Sequence, residues 1–305
     1  MIKSFKYRLY PNREQVKKLN HTLDVCRELY NAALEERREA WKRQRKSVSA
    51  YQQMAELPDL KHELPEVASV YAQVLQDVLW RADTSFKNFF RRVKRRAKEK
   101  GYPRFRSRNR YDSFCYPQSG FSIARGRLYL SKIGNLKIKL HRPIEGEIKT
   151  CTIKRDIDQW YVSFACEILG PQNILPLERV GVDFGIESFA TTSDGEFMEN
   201  PRLFVSSQKK LRRAQHSLSR KKKRGANRNK ARILVAKQHC RIRRQRLDFH
   251  HKVARQLVNK YDLMAIEDLQ VANMVKNHCL AKHILDAGWS QFASILTFKA
   301  EETGK

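Results

Sequence analysis

Residues 179–198 read RVGVDFGIESFATTSDGEFM, and this stretch decides the fold class. Val180, Val182 and Phe184 fall on one side of an extended segment and Asp183 on the other, because successive strand side chains point to opposite faces. Gly185, then Asp194 with Gly195, interrupt the run, so it predicts three short strands, RVGVDFG, SFATTSDG and EFM, joined by turns. A second apolar run, YDLMAIEDL at 261–269, predicts another strand. Its hydrophobic residues face both ways, which suits an interior strand of a sheet covered by helices. Asp183 and Glu267 sit among apolar residues of these runs, and an ionised carboxylate among apolar neighbours is costly unless something compensates it. Taken singly, each acid is better explained by an arginine partner or a capped loop. Taken together, on strands lying side by side, they make an oxygen cradle for a hard divalent cation such as Mg2+. The matching chemistry is phosphodiester hydrolysis, in which metal ions activate a water and stabilise the leaving oxygen.

Between these runs lies a basic stretch, from about Phe204 to Lys260, with a break near Gly225 and Asn227. From Gln208 to Arg246 it holds 17 Lys or Arg and no Asp or Glu. A solvated helix normally mixes Glu with its Lys, so this density calls for an anionic partner. Leu211, Leu218, Leu234, Val235 and Ile242 punctuate the charge and predict a helical hairpin with a buried stripe. Lys209, Lys210, Arg212, Arg213, Arg220, Lys221, Lys222, Lys223 and Arg224 are its candidate phosphate contacts. A second basic stretch, Lys87 to Arg110, has 12 basic residues against Glu99 alone. Here Phe89 and Phe90 are expected in the core. Tyr102 and Phe105, beyond the helix end in GYPRFRSR, are placed either to stack on a base or to pack. Arg104, Arg106 and Arg108 alternate along an extended segment, which would turn them to one side, facing phosphates.

Farther out, Phe5, Tyr7 and Leu9 alternate with Lys6 and Arg8 as a half-buried strand that Pro11 stops. Asn12 followed by Gln15 reads as a helix cap, and Val16, Leu19, Leu23, Cys26, Tyr30 and Ala33 continue at helical spacing. After Pro58 and Pro65 a second face runs through Val78, Leu79, Ala82, Phe86, Phe89, Phe90, Val93 and Ala97, ended by Gly101 and Pro103. From Phe114 to Ile168 short β-rich runs form an antiparallel meander or small barrel, which residues 2–10 would join. The segment LGPQNILP (169–176) reads as a linker. The organisation expected is α+β: a β-rich, barrel-like nucleic-acid-binding domain (1–10 and 111–170), an inserted helical module (11–110), and an α/β domain (171–305).

The whole chain agrees with a nucleic-acid role. It has 305 residues, 41% hydrophobic, enough for a full core, and Lys and Arg outnumber Asp and Glu by 62 to 32. A net charge of +30 would repel itself unless a polyanion neutralised it. MIKSFKYRLYPN lacks an apolar signal region, and no run approaches the roughly 18 apolar residues of a membrane span, so a cytoplasmic protein with no membrane partner is expected. Cys26, Cys115, Cys151, Cys166, Cys240 and Cys279 form no C-x-x-C pair, so they read as reduced, mostly packed thiols.

Several blocks carry a family likeness. GVDFGIESFATTSDG (181–195) and YDLMAIEDLQVANMVKN (261–277) resemble the first two RuvC motifs of the TnpB proteins of bacterial and archaeal insertion sequences, relatives of type V CRISPR effectors. YRLYPNREQ (7–15), FKNFFRRVKRRAKEKGYPRFRSR (86–108), SRKKKRG (219–225), DFHHKVARQLV (248–258) and LAKHILDAGWSQFASILTFKAEETGK (280–305) extend the likeness over essentially the whole chain. The resemblance implies an RNA-guided DNA endonuclease with an RNase H-like (RuvC-like) domain at 171–305, in which Asp183 and Glu267 are catalytic acids and Mg2+ ligands. It implies a guide RNA and a target DNA as partners, with base pairing supplying specificity. Family members continue beyond the segment corresponding to FKAEETGK into a zinc ribbon and a third catalytic Asp. This chain shows neither, so the resemblance implies a truncated chain with an incomplete metal site and no zinc site, or a remnant that binds RNA and DNA without cutting. Asp286 matches a family position that is not the third acid. Asp268 would point to the opposite strand face from Glu267, and His278, Cys279 and His283 follow no known ligand spacing.

Overall fold

The alternation at the start of the chain becomes β1 (Ile2–Tyr10), with Phe5, Tyr7 and Leu9 buried and Lys6 and Arg8 exposed. Pro11 ends it, and a reciprocal cap starts the next element. The Asn12 Oδ1 accepts from the Gln15 amide at 2.8 Å, and the Gln15 side chain accepts from the Asn12 amide at 3.0 Å. Two amides that a helix start leaves unpaired are thereby satisfied. The helix, α1 (Arg13–Gln44), runs unbroken for 32 residues and buries Leu19, Leu23, Cys26 and Tyr30. Asn12→Ala is expected to lower unfolding free energy by about 1 kcal/mol, read as a shifted midpoint in urea with unchanged slope.

The computed structural model describes residues 1–171 and 177–305, so most of the expected linker at 169–176 lies outside the described residues. The chain divides into two units, Met1–Leu169 and Gly170–Lys305. In the first, three short helices, α2 (Ala50–Ala55), α3 (Leu57–Glu63) and α4 (Pro65–Ala68), lead to α5 (Ala72–Lys94). The helical face traced to Ala97 stops at Lys94. There Arg96 adopts a left-handed conformation (φ 50°), and the Ala97 and Arg96 amides fold back to the Arg92 and Val93 carbonyls, each at 3.0 Å. Such a wrap ends a helix whatever its hydrophobic pattern. Phe90, expected in the core, is 60% exposed, because the face that α5 buries, at Val74, Leu75, Val78, Leu79 and Ala82, has run out by then.

Six strands follow: β2 (Ser113–Tyr116), β3 (Phe121–Ala124), β4 (Arg127–Leu130), β5 (Gly134–Lys139), β6 (Glu147–Asp156) and β7 (Gln159–Glu167). With β1 they form one antiparallel sheet in the order β2-β6-β7-β1-β5-β4-β3. The first strand of the chain is thus the middle strand of the sheet, paired with β7 on one side and β5 on the other. The ladder does not close into a ring among the described residues; β2 and β3 are its edges. Tyr116 Oη of β2 donates to the carbonyl of Ser131, just past β4, at 2.9 Å. Helices and sheet share one core, where Leu19, Leu23, Val74 and Leu75 meet Leu128, Ile153, Val162 and Phe164.

The second unit contains β8 (Arg179–Asp183), β9 (Ser188–Thr192) and β10 (Phe197–Glu199), then α6 (Leu203–Ser219), α7 (Ala226–Lys260) and β11 (Leu263–Ile266), then α8 (Val271–Met274), α9 (Ala281–Ala287) and α10 (Trp289–Glu302). The sheet order is β10-β9-β8-β11, with β11 parallel to β8. The second apolar run is therefore an edge strand rather than an interior one. Its outward residues are uncovered, and Leu263 is 48% exposed. Beneath β8 and β9 lies the unit's own core, built from Val180, Val182, Phe189, Leu257, Trp289 and Phe292. Five of the six cysteines are buried and Cys279 is exposed. Among the described residues, no helix is long and apolar enough to cross a membrane.

Candidate functional site

In the parallel pair β8 and β11, Val182 lies opposite Ile266. The next residue along each is an acid, Asp183 at the end of β8 and Glu267 just past β11, so the two emerge side by side on the face opposite the buried valines. β9 adds Thr191 directly across from Asp183. The surroundings are small: Gly181, Thr191, Ser193 and Ala265 line an open depression with the two acids and leave their oxygens accessible. Both carboxylates are exposed, so solvent, rather than an arginine, meets their charge. Their closeness is legible in protonation. The Glu267 pKa is raised above its ordinary 4.5, chiefly by a hydrogen bond with Asp183, then by desolvation and by the Asp183 charge.

A hydrogen bond between two carboxyls requires a proton, and a cation takes the same place. The donor set, two hard oxygens open to solvent, suits one Mg2+, an ion commonly bound through one or two carboxylates with its remaining positions left to water and phosphate. Among the described residues no group of three or more His, Cys, Asp or Glu gathers around a common point.

Asp286 does not approach this pair. It is 6% exposed, and its carboxylate accepts from the Phe204 amide (2.8 and 2.9 Å) and the Val205 amide (3.3 Å) at the start of α6. Arg246 of α7 pairs with it at 3.2 Å. This acid caps α6 from another helix and ties it to α7.

The core beneath the sheet holds His250, fully buried, with Nε2 2.9 Å from the Ala287 carbonyl. Nε2 donates in that contact, and Nδ1 has no partner. Burial is the main reason its pKa falls from 6.5 to about 4; the Ala287 contact opposes the shift and Arg246 adds to it. In the unfolded chain the ring protonates near 6.5, so its contribution to stability is complete above that pH and is lost as pH falls towards 4. The loss should reach up to about 3 kcal/mol. Urea unfolding measured at pH 7.5 and pH 4.5 should show this dependence in the parent chain and a shallower one in His250→Gln.

The basic residues divide between the units. In the second, α6 and α7 form the expected hairpin, with Leu211 and Ile242 buried, but Leu234 is 56% exposed on the part of α7 nearest the turn. Lys209, Arg212, Arg213, Arg220 and Lys221 line one depression along α6, where His216 joins them. Lys210 is exposed elsewhere on that helix, and Lys222, Lys223 and Arg224 form the exposed turn. Arg228 pins this turn by donating to the Leu218 and Lys221 carbonyls at 3.0 and 3.1 Å. In the first unit, residues 101–110 are irregular rather than a strand. Arg106 is held by its backbone, which exchanges hydrogen bonds with the Asn31 side chain at 2.7 and 3.0 Å. Arg108 pairs with Asp24 at 2.7 Å. Arg104, Phe105 and Tyr102 are exposed, and Tyr102 also packs edge-on against Phe86 and Phe89, with centroids 5.8 and 5.2 Å apart.

Residues 163–278, which include both paired acids, match the family model described as "Probable transposase". Residues 1–46 match one described as "Helix-turn-helix domain"; here they fold as β1 followed by the single helix α1. A protein of Streptomyces pristinaespiralis, provisionally named an RNA-guided DNA endonuclease, is 39% identical over 310 residues, covering 99% of this chain and 76% of that one. The chain belongs to the TnpB family. Another TnpB relative, InsQ of Escherichia coli K12, provisionally named in the same way, is 30% identical and covers 98% of this chain and 77% of its own. In fold, this TnpB chain is similar to Cas12f1, solved as a complex with a single guide RNA and target DNA. The TM-score is 0.55 at 14% identity, over 97% of this chain and 72% of Cas12f1.

Proposed function

We propose that this TnpB-family chain is an RNA-guided DNA endonuclease of an insertion sequence, and that its second unit is a RuvC-like, RNase H-type domain. The observation that carries the reading is the parallel pairing of β8 with β11, which sets Asp183 beside Glu267 on an open face. Two exposed carboxylates side by side, one of them with its pKa raised by the other, suit a magnesium ion. When bound, magnesium supplies Lewis-acid stabilisation and lowers the pKa of a coordinated water. The chain's own residues do the rest. Asp183 and Glu267 hold the ion at the sheet surface, and Gly181 and Ala265 leave room for a phosphodiester to approach them. The α6 cations supply positive charge to a nucleic-acid backbone. Arg104, Arg106, Arg108, Tyr102 and Phe105 belong to the surface that grips guide RNA and target DNA in the cytoplasm. Residues 1–10 with 111–170, and the helices at 11–110, make up that gripping part.

A second reading, a protein that binds RNA and DNA without cutting them, is favoured by the absence of a third carboxylate beside the pair among the described residues. One assay separates the two. The full chain is purified with a noncoding RNA from its own element and mixed with plasmid DNA matching the guide segment. Magnesium-dependent nicking or cleavage supports the first reading. Salt-sensitive RNA binding without cutting establishes the second, and failure to bind either nucleic acid at near-physiological salt overturns both.

A further inference from the structure

The register of the four-stranded sheet sets a row of side chains across the exposed face beside the paired acids. Phe197 of β10 lies directly opposite Thr191 of β9, and Thr191 lies opposite Asp183 of β8. Glu267, one residue past the pairing of Ile266 with Val182, completes the row. Directly opposed residues share a face, and the alternation says which one. Met198 and Ala190, the next pair along, turn into the core, so Phe197 and Thr191 turn out. Phe197 is 72% exposed. An exposed ring is ordinary by itself; its place in line with two carboxylates is not explained by packing. At the usual strand spacing the ring stands roughly 10 Å from Asp183, with Thr191 between them. The hydroxyls at this end of β9 divide in the same way. Thr192 Oγ1 accepts from the Glu196 amide at 3.0 Å, and Ser193 Oγ accepts from the Gly181 amide at 3.2 Å. Among the described residues the Thr191 hydroxyl has no hydrogen-bond partner, and it lines the depression with the acids.

We propose that Phe197 and Thr191 position the DNA strand at this site: the Phe197 ring stacks on one unpaired base, and Thr191 Oγ1 donates to a non-bridging oxygen of the phosphate beside the acids. The proposal rests on the endonuclease reading above and adds to it two substrate-positioning residues. A nucleotide carries both partners that the row calls for, an anionic oxygen for the hydroxyl and a flat face for the ring. Inside a duplex the faces of each base are covered by its neighbours, so a single ring reaches a base only on an unpaired strand. No aromatic side chain lines the depression itself among the described residues, and Phe197 supplies the flat surface from one strand away. Stacking tolerates any base, so Phe197 fixes how the strand lies across the acids and leaves the choice of sequence to pairing elsewhere.

The test uses the full chain with calcium in place of magnesium, so that the strand stays intact, and an oligothymidylate of about 12 nucleotides carrying one 5-iododeoxyuridine. Near-ultraviolet light joins that base to an aromatic ring stacked on it. The cross-link should fall at Phe197, in the tryptic peptide 180–202, persist in Phe197→Tyr and vanish in Phe197→Leu. Thermal denaturation of Phe197→Leu should stay within about 1–2 °C of the parent, which separates a lost stack from a lost fold. With magnesium and the element's noncoding RNA, single-turnover cutting of a pre-bound target should slow about 10-fold in Phe197→Leu, because a smaller fraction of the strand is docked, and recover in Phe197→Tyr. Thr191→Val should slow cutting by a similar factor, and Thr191→Ser should restore it. A cross-link that falls elsewhere or survives in Phe197→Leu would overturn the proposal. So would a duplex joined as readily as the unpaired strand, and an iodinated oligouridylate joined as readily would overturn the assignment to DNA. A parent chain that cross-links at Phe197 and never cuts sinks the endonuclease reading alone. A parent that cuts no faster than Phe197→Leu and Thr191→Val sinks this proposal alone.

Discussion

Asp183→Ala and Glu267→Ala are each expected to lower magnesium-dependent DNA cleavage about a thousandfold or more and to leave RNA binding unchanged. The size follows from the site. Asp183 and Glu267 are the two carboxylates that line the β8–β11 depression, so either loss halves its anionic donor set. The ion's role in stabilising transition-state charge goes with it. Because the two acids act as one unit, the double variant should be little worse than either single one. The pair also fixes a pH dependence. Glu267 holds its proton at higher pH than an ordinary glutamate because of Asp183, and a proton and a cation compete for the same oxygens. Divalent-ion affinity, measured by calorimetry on the intact chain, should therefore weaken as pH falls from neutral through the raised Glu267 value. Asp183→Asn should return Glu267 towards ordinary behaviour. A variant lacking either acid that cut DNA as fast as the parent would remove this pair from the chemistry.

The second large effect is on stability. Asp286→Ala should cost about 3–4 kcal/mol, and lower the Tm by roughly 6–12 °C, although the residue touches no other acid. Its carboxylate is buried against the Phe204 and Val205 amides and paired with Arg246. Removal leaves a helix start without its acceptor and a largely buried guanidinium without its counter-ion. Asp286→Asn, which retains an acceptor oxygen but no charge, should fall between the two. The variant should bind oligonucleotides more weakly in proportion to the loosening of α6, since Lys209, Arg212 and Arg213 ride on that helix. Unchanged thermal denaturation of Asp286→Ala would show that Arg246 and the helix amides find water instead.

What was legible in the sequence was local. The Asn12–Gln15 cap, the alternation of β1 and the strand–turn–strand reading of 179–198 each depend on residues within a few positions of one another, and each stands in the structure. The two acids were found in the same way, from their misfit with apolar neighbours. What escaped depended on partners far along the chain. The pattern of YDLMAIEDL says that it is a strand but not that its outer flank lacks a neighbour. Leu234 keeps the helical spacing of the stripe yet is exposed, and Phe90 lies on α5 past the residues that the helix buries. The capping role of Asp286 could not be read locally, because the Phe204 amide it accepts from is 82 residues away. The row from Phe197 to Glu267 was hidden for the same reason: its members come together only when the register is known.

The central position of β1 also sets a timetable. The strand leaves the ribosome well before its partners, since both of its ladders are with segments more than a hundred residues downstream. At ordinary rates of synthesis, about 5–20 residues per second, the nascent strand waits on the order of ten seconds with its backbone unpaired and Phe5, Tyr7 and Leu9 uncovered. Sheet closure must follow the emergence of β7, which makes folding of this unit slow and non-local. Over that interval the alternating Lys6 and Arg8 do a second service, keeping a naked strand from pairing edge to edge with its neighbours on the same polysome.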